Sequence, residues 1–248
     1  MPRRYLQGTL DFACGIYAVI NALACARGLD LVGARRIFQE TGIALAEKPE
    51  LWRSFMRNET DQYWLVRYML RRWCRADPWK LCLRQPFSDC LLQAEETADL
   101  AGAEMFLPEA EEESGPPLLD RARREAALVW RQLEKWLSPG GRDWPGRTAL
   151  FRFHRFLRHD VRPPAQDSHP LRRRAGGSKV PGKLRGTPPC ISHWTSARGM
   201  ADGLLYLHDA SSEANALLRL EPADLLPEDG SRGMVRIVPE SLVLLEPE

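Results

Sequence analysis

The 248-residue sequence predicts an α+β fold, with helices in the first part of the chain and an antiparallel sheet in the last part. Amphipathic runs, separated by residues that end helices, fill the chain up to about residue 137. After residue 190 the apolar runs become short and strand-like, with turn residues between them. Helices followed by strands, rather than an alternation of the two, are typical of α+β proteins.

Six helices are predicted in the first part. The first has apolar side chains along one face, and Gly28 is placed to end it. Gly42 is likewise placed to end the second helix, and Pro49 to open the third. The stretch 63–70 is too apolar for a surface helix and is expected in the core. The predicted helices are 14–27, 31–41, 49–57, 61–76, 88–102 and 117–137.

The second part of the chain is predicted to be mainly extended. Residues 160–189 contain six prolines, four glycines and an arginine triplet, which predicts a long and partly disordered loop. This loop directly precedes a strand. In that position it would cover the entrance of a site beside the strand, or place positive charge at that entrance. The predicted strands are 148–153, 190–197, 203–208, 216–220, 234–238 and 241–245.

The length and the order of elements predict a single domain over residues 1–248. A chain of this size buries a core of its own, and no internal repeat is visible. Within this domain we distinguish a helical half (1–140), an insertion or loop region (141–189) and a β half (190–248).

The composition is that of an ordinary globular protein, with 44% hydrophobic and 27% charged residues. No apolar run reaches the roughly 20 residues that a membrane-spanning helix needs, and the N-terminal residues lack the apolar region of a secretory signal. The six cysteines show no zinc-ligand spacing. We therefore expect a reduced, cytoplasmic protein that uses no metal or other cofactor.

Charge is unevenly distributed along the chain, although the net charge is only +2. Segment 89–113 holds nine acidic residues and no Lys or Arg, whereas 142–185 holds twelve basic residues against three acidic ones. These segments pair with each other within the chain, form solvated surfaces and loops, or present surfaces that bind a protein partner. Nucleic-acid binding is disfavoured, because the basic segment carries no recognised motif and the acidic one opposes a general basic surface.

A candidate nucleophile stands at the start of the first predicted helix. Cys14, followed by Gly15, lies where unpaired backbone N–H groups and the helix dipole favour a thiolate. Gln7, seven residues earlier, can direct its amide NH2 towards an oxyanion beside that sulfur. The structural alternative is that Cys14 is a small core residue at a helix start.

A candidate base and its orienting carboxylate lie far downstream. The chain has only five histidines, at 154, 159, 169, 193 and 208. His193 opens one predicted strand, and the next strand ends at His208 and runs directly into Asp209. If the two strands form a hairpin, His193 and Asp209 are neighbours at the sheet edge, facing the helix that carries Cys14. His208 would point to the opposite face of the strand.

Together these residue types form a nucleophile with its acid–base partner. An imidazolium beside a cysteine stabilises the thiolate and later protonates the leaving group. A carboxylate on the far ring nitrogen sets the tautomer and the orientation of the imidazole. The alternatives are that His193 is a hydrogen-bonded strand histidine and that Asp209 only caps a turn. Trp194 is expected to pack in the core beside the site.

The pattern resembles the papain-like cysteine peptidases, most closely the bacterial branch similar to the bacteriocin-leader-processing (double-glycine) peptidases. In that branch a Gln precedes a Cys-Gly at the head of the central helix, a His opens a strand, and an Asp ends the following strand. The resemblance covers roughly residues 5–26 and 190–212. The matching residues are Gln7, Cys14-Gly15, His193 and Asp209.

The chain departs from the family pattern at three points. Ala13 stands where an Asp is common, Ala210 stands where a Pro often follows the Asp, and the Cys-to-His interval is long, at 193 − 14 = 179 residues. The long interval indicates an inserted region that shapes the choice of substrate, so leader processing itself does not carry over.

The resemblance implies a papain-like fold and a thiol protease, that is, a hydrolase with a Cys14–His193–Asp209 catalytic triad and Gln7 in the oxyanion hole. Its substrate would be a peptide or protein, cut at a peptide or isopeptide bond. Two alternatives remain open. The same triad serves transglutaminase-like acyltransferases, and a silent scaffold of this fold would bind a peptide or protein partner.

Overall fold

The computed structural model describes nine segments of the chain. Several predicted features lie outside them, namely Gln7, the helix 88–102, the acidic segment 89–113 and the loop 160–189. The described residues are 4–6, 13–56, 62–75, 77–87, 116–138, 146–156, 190–210, 218–225 and 235–248.

Six α-helices and seven strands form the described part of the fold. The helices are α1 (Cys14–Arg27), α2 (Leu31–Ala46), α3 (Pro49–Met56), α4 (Tyr63–Met69, continued by a π-helical turn, Leu70–Cys74), α5 (Pro116–Leu137) and α6 (Pro222–Leu225). The strands are β1 (Leu81–Arg84), β2 (Thr148–Phe156), β3 (Cys190–Ala201), β4 (Leu204–His208), β5 (Arg219–Leu220), β6 (Val235–Ile237) and β7 (Val243–Pro247).

All seven strands belong to one antiparallel sheet. Its order is β1-β7-β2-β3-β4-β5, and β6 also pairs with β2. The α+β class is therefore confirmed. Two strands come from before residue 190, since β1 lies within the predicted helical half and β2 lies within the region 141–189. The sheet is thus assembled from distant parts of the chain.

Helix ends follow the predicted signals at one glycine and not at the other. Gly28 ends α1 in the left-handed conformation, with φ +68°, and its N–H donates to Ala24 O. The prediction that α2 ends at Gly42 is wrong, because that helix continues to Ala46. A glycine inside a helix costs only about 1 kcal/mol relative to alanine. The burial of Leu45, which is 1% exposed, holds the last turn against the core.

Helix α1 is buried between the other helices and one face of the sheet. A first core cluster joins it to α2, α3 and α4 and to sheet residues such as Leu150 and Trp194. A second cluster packs α5 against Phe151 and Phe153, whose side chains point to the opposite face because strand residues alternate. In the stretch 63–70 the residues Leu65, Val66, Met69 and Leu70 are fully buried, as predicted.

Three classes of feature are absent from the described part of the chain. None of its helices combines the length and the apolar character needed to cross a membrane. Its His, Cys, Asp and Glu side chains form no group of three that could hold a metal ion. The cysteines at positions 14, 25, 74 and 82 are free thiols.

Candidate active site

Cys14 is the first residue of α1, and its half-buried side chain lies beside His193, whose pKa it helps to raise. The first hydrogen bond of the helix runs from Tyr17 N to Ala13 O, at 3.0 Å. The N–H groups of the preceding first turn therefore have no acceptor within the helix itself. They create a positive end that favours a negative charge on the sulfur.

His193 and Asp209 form a short hydrogen bond at the end of the β3–β4 pair. The distance between His193 Nε2 and Asp209 Oδ1 is 2.7 Å, and the Asp209 side chain is 1% exposed. Because Nε2 is engaged by the carboxylate, Nδ1 is the ring nitrogen left to face the sulfur of Cys14. The ring of Phe153 packs edge-on against the imidazole, at a centroid distance of 5.6 Å, and restricts its rotation.

The surroundings of His193 favour its protonated form. Burial alone would lower its pKa, because burial disfavours the charged imidazolium. The hydrogen bonds with Asp209 and Cys14, and the negative charges of both groups, outweigh burial and raise the pKa of His193 from 6.5 to about 10. At neutral pH the residue is therefore an acid placed beside the sulfur of Cys14.

A β-bulge determines that Asp209, directly after β4, turns towards His193. From the turn at Asp202 and Gly203, both with positive φ, pairing runs to Gly199↔Tyr206 and then shifts to Ala197↔Leu207, so Arg198 is the extra residue. Without this shift, Ser196 would face Asp209 and turn the carboxylate to the other face of the sheet.

With the bulge, Ser196 pairs with His208, the last residue of β4. Because strand residues alternate, the next residue, Asp209, then turns to the face that Thr195 and His193 share. His193 then lies diagonally across from Asp209 on the same face, rather than directly opposite as a simple hairpin suggested. A diagonal pair is within reach of a long side chain.

His208 lies in a second cysteine–histidine pair, on the face of the sheet that α1 covers. Its Nδ1 is 3.3 Å from Cys25 Sγ. Burial, followed by the charges of Arg198 and Arg4, lowers the pKa of His208 to about 4. Burial raises the pKa of Cys25 to about 12, against smaller lowering effects of Arg198 and a hydrogen bond with Thr148. At neutral pH the thiol is therefore the donor and Nδ1 the acceptor.

An asparagine network ties the end of β4 to α1. Asn21 Nδ2 donates to His208 O (3.2 Å) and to Tyr5 O (3.0 Å), and Asn21 Oδ1 accepts from Tyr5 N (2.8 Å). Asn21 is fully buried. These bonds hold the backbone directly before Asp209, so they help to position that carboxylate.

Gln62 is a site residue that the sequence did not reveal. Its Oε1 accepts a hydrogen bond from Gly15 N at 2.9 Å and lies 3.7 Å from Cys14 Sγ. It supplies the cap that Ala13, the N-cap residue, has no side chain to provide. The one signal in the sequence was indirect, since Ala13 leaves the first turn in need of an acceptor from elsewhere.

The remaining residues that the sequence pointed to are Trp194, Ala210 and Gln7. Trp194 is 1% exposed and packs edge-on against Tyr63, at a centroid distance of 5.1 Å, which is the expected core position. Ala210 is fully buried. Gln7 lies outside the described residues, so its role stays a prediction.

Comparison with protein-family models, with curated proteins and with solved structures gave no match to this chain. The geometry therefore carries the functional argument. It places in one row a thiol at a helix start, an imidazole and a buried carboxylate that is hydrogen-bonded to this imidazole. Such a row can generate a sulfur nucleophile and an acid at the same place.

We predict that His193 titrates well above an ordinary histidine and His208 well below it, near their pKa values of about 10 and about 4. NMR of the imidazole nitrogens across the pH range measures both. Asp209→Asn should lower the pKa of His193 and leave that of His208 nearly unchanged. A His193 that titrates near 6.5 in the unaltered protein would contradict the described hydrogen bonds.

The raised pKa of His193 also makes the stability of the folded protein depend on pH. The pKa of His193 is higher in the folded chain than the 6.5 of an ordinary histidine. Its protonation therefore stabilises the fold fully below pH 6.5, and this contribution disappears as the pH rises through about 10.

We predict that Gly15→Ala destabilises the protein and disturbs Cys14. A Cβ at this position would lie 2.8 Å from Gln62 Oε1 and 2.9 Å from Val66 Cγ2. Overpacking of a filled site typically costs about 1–3 kcal/mol, which denaturant unfolding measures. Gly42→Ala is the matched control, because a Cβ there meets nothing within 4 Å and alanine favours the helix. Equal effects of the two variants would contradict the close packing at Gly15.

Proposed function

We propose that the protein is a papain-like cysteine peptidase that hydrolyses a peptide or isopeptide bond in the cytoplasm. The observation that carries the proposal is the Cys14–His193–Asp209 row, in which the carboxylate is 2.7 Å from the imidazole and Cys14 lies beside the imidazole and helps to raise its pKa. The thiol, the imidazole and the carboxylate follow one another in the order that thiol-dependent acyl transfer requires.

In the first half of the reaction, the Cys14 sulfur attacks the carbonyl carbon of the scissile bond as a thiolate. The proton lost by the sulfur resides on His193, whose raised pKa suits it to hold that proton. As the tetrahedral intermediate collapses, the imidazolium donates the proton to the leaving nitrogen. The products of this half are a free amine and a thioester on Cys14.

In the second half, the neutral imidazole takes a proton from water, and the resulting hydroxide attacks the thioester. Collapse of the second intermediate releases the acid and returns the proton to the Cys14–His193 pair. Asp209 keeps the ring in one orientation and stabilises the imidazolium in both halves. No electron leaves or enters the site, so the reaction needs no redox partner.

The developing oxyanion needs donors beside the sulfur. The backbone N–H of Cys14, at the first position of α1, is a group of this kind. In this proposal Gln7 supplies a second donor through its amide. A single donor of this type typically contributes about 2.7–4 kcal/mol to the transition state.

Two further observations support the papain-like assignment and the cytoplasmic location. The helix that begins at Cys14 packs on an antiparallel sheet that brings His193 and Asp209 to its N-terminal end, as the resemblance implies. The described cysteine side chains are free thiols, which suits a reducing compartment.

We predict that iodoacetamide labels Cys14 faster than Cys82 at neutral pH. Both side chains are partly accessible, but only Cys14 lies at a helix start beside an imidazolium, which enriches the reactive thiolate. Site-resolved mass spectrometry measures both rates in the same sample. His193→Ala should slow the labelling of Cys14 and leave the labelling rate of Cys82 unchanged. Equal rates for the two cysteines would contradict the proposed nucleophile.

A further inference from the structure

Gln62 lies where it can control the proton of the Cys14 thiol. Its side chain is 4% exposed, and its Oε1 contacts both Gly15 N (2.9 Å) and Cys14 Sγ (3.7 Å). The orientation of the amide is settled by chemistry, because a backbone N–H only donates and must face the oxygen rather than the NH2 group. A carbonyl oxygen therefore stands beside the sulfur.

The fold maintains this contact at a conformational cost. Gln62 has φ +61° and ψ 12°, the left-handed conformation that non-glycine residues rarely adopt. Its backbone oxygen accepts a hydrogen bond from Val66 N, so the strained residue also begins α4. Strain of this kind persists only where surrounding contacts over-determine it, and it is concentrated at functional sites.

The lack of a side chain at Gly15 leaves room for the amide of Gln62. Any side chain at Gly15 would place a Cβ 2.8 Å from Gln62 Oε1. A glycine directly after the cysteine thus lets a residue 47 positions away cap the helix start. The contact is as much a property of Gly15 as of Gln62.

The oxygen beside the sulfur treats the two protonation states of the thiol differently. A neutral thiol donates its S–H to Gln62 Oε1 at 3.7 Å. A thiolate has no proton to donate, so its charge would face the negative end of the amide dipole. His193 has the opposite preference, because an imidazolium attracts the thiolate. The two residues therefore act in opposite directions on the ionisation of the Cys14 thiol.

We propose that Gln62 is a positioning residue that stabilises the neutral thiol of Cys14 and thereby opposes the formation of the thiolate that His193 favours. The inference rests on the proposed role of Cys14 as nucleophile. It adds that the reactivity set by the helix start and by His193 is restrained by a third group. No contact with substrate is needed for this effect.

The test is the pH dependence of Cys14 alkylation by iodoacetamide in the full chain, resolved by site. Gln62→Met keeps the length of the side chain, removes the oxygen beside the sulfur and frees the Gly15 N–H towards it. We expect alkylation on the acidic side of the profile to become roughly two- to tenfold faster, the factor of one neutral hydrogen bond. Gln62→Glu keeps an acceptor for Gly15 but adds negative charge, so alkylation at neutral pH should become slower.

Opposite signs for these two variants are the diagnostic result, because a purely structural role would move both in one direction. Gln62→Asn adds a third measurement that tolerates the left-handed backbone. The Asn side chain is one methylene shorter, so its oxygen lies farther from the Cys14 sulfur. This variant should therefore behave like Gln62→Met. Equal or same-direction effects of the Met and Glu variants, or an unchanged profile for Asn, would overturn the inference.

His193→Ala separates this result from a failure of the proposed function. If that change leaves the alkylation profile of Cys14 unaltered, the nucleophile itself is wrongly assigned. If it slows alkylation while the Gln62 variants have no effect, the nucleophile stands and the inference about Gln62 is overturned.

Discussion

The hydrogen bond between His193 Nε2 and Asp209 Oδ1, 2.7 Å long, is the interaction on which the proposed chemistry depends. It leaves the other ring nitrogen for the sulfur and helps to raise the pKa of His193 to about 10. The bond exists because the bulge at Arg198 turns Asp209 to the face of His193, and because Asn21 ties the end of β4 to α1. The position of one carboxylate is thus decided by the register of the sheet.

Two cysteine–histidine pairs join α1 to the same pair of strands, and their surroundings give them opposite properties. At the helix start a carboxylate stabilises the imidazolium of His193. Further along α1, burial and nearby arginines lower the pKa of His208 to about 4, while burial raises that of Cys25 to about 12. The second pair therefore stays neutral and serves as a contact between helix and sheet. Residue type alone does not separate the two pairs; the charges around them do.

The sequence was sufficient where the signals are local and insufficient where they are distant. The start of α1 and its end at Gly28 follow from helix signals, and the β3–β4 hairpin follows from two short apolar runs around a turn. Strand β1 was not predicted, because four residues become a strand only by pairing with β7. The bulge and the contact of Gln62 likewise depend on partners that no local pattern reveals. The roles of Gln7, Cys14, His193 and Asp209 stay predictions.

The most direct test of the central claim is hydrolysis of a peptide mixture in water enriched in heavy oxygen, followed by mass spectrometry of the products. A cysteine peptidase would form new carboxyl termini that carry one heavy oxygen atom, and these would appear with the unaltered protein and not with Cys14→Ser. Products joined to an added amine, without heavy oxygen, would identify a transferase instead. The absence of any new product, or equal product from Cys14→Ser, would contradict a cysteine peptidase.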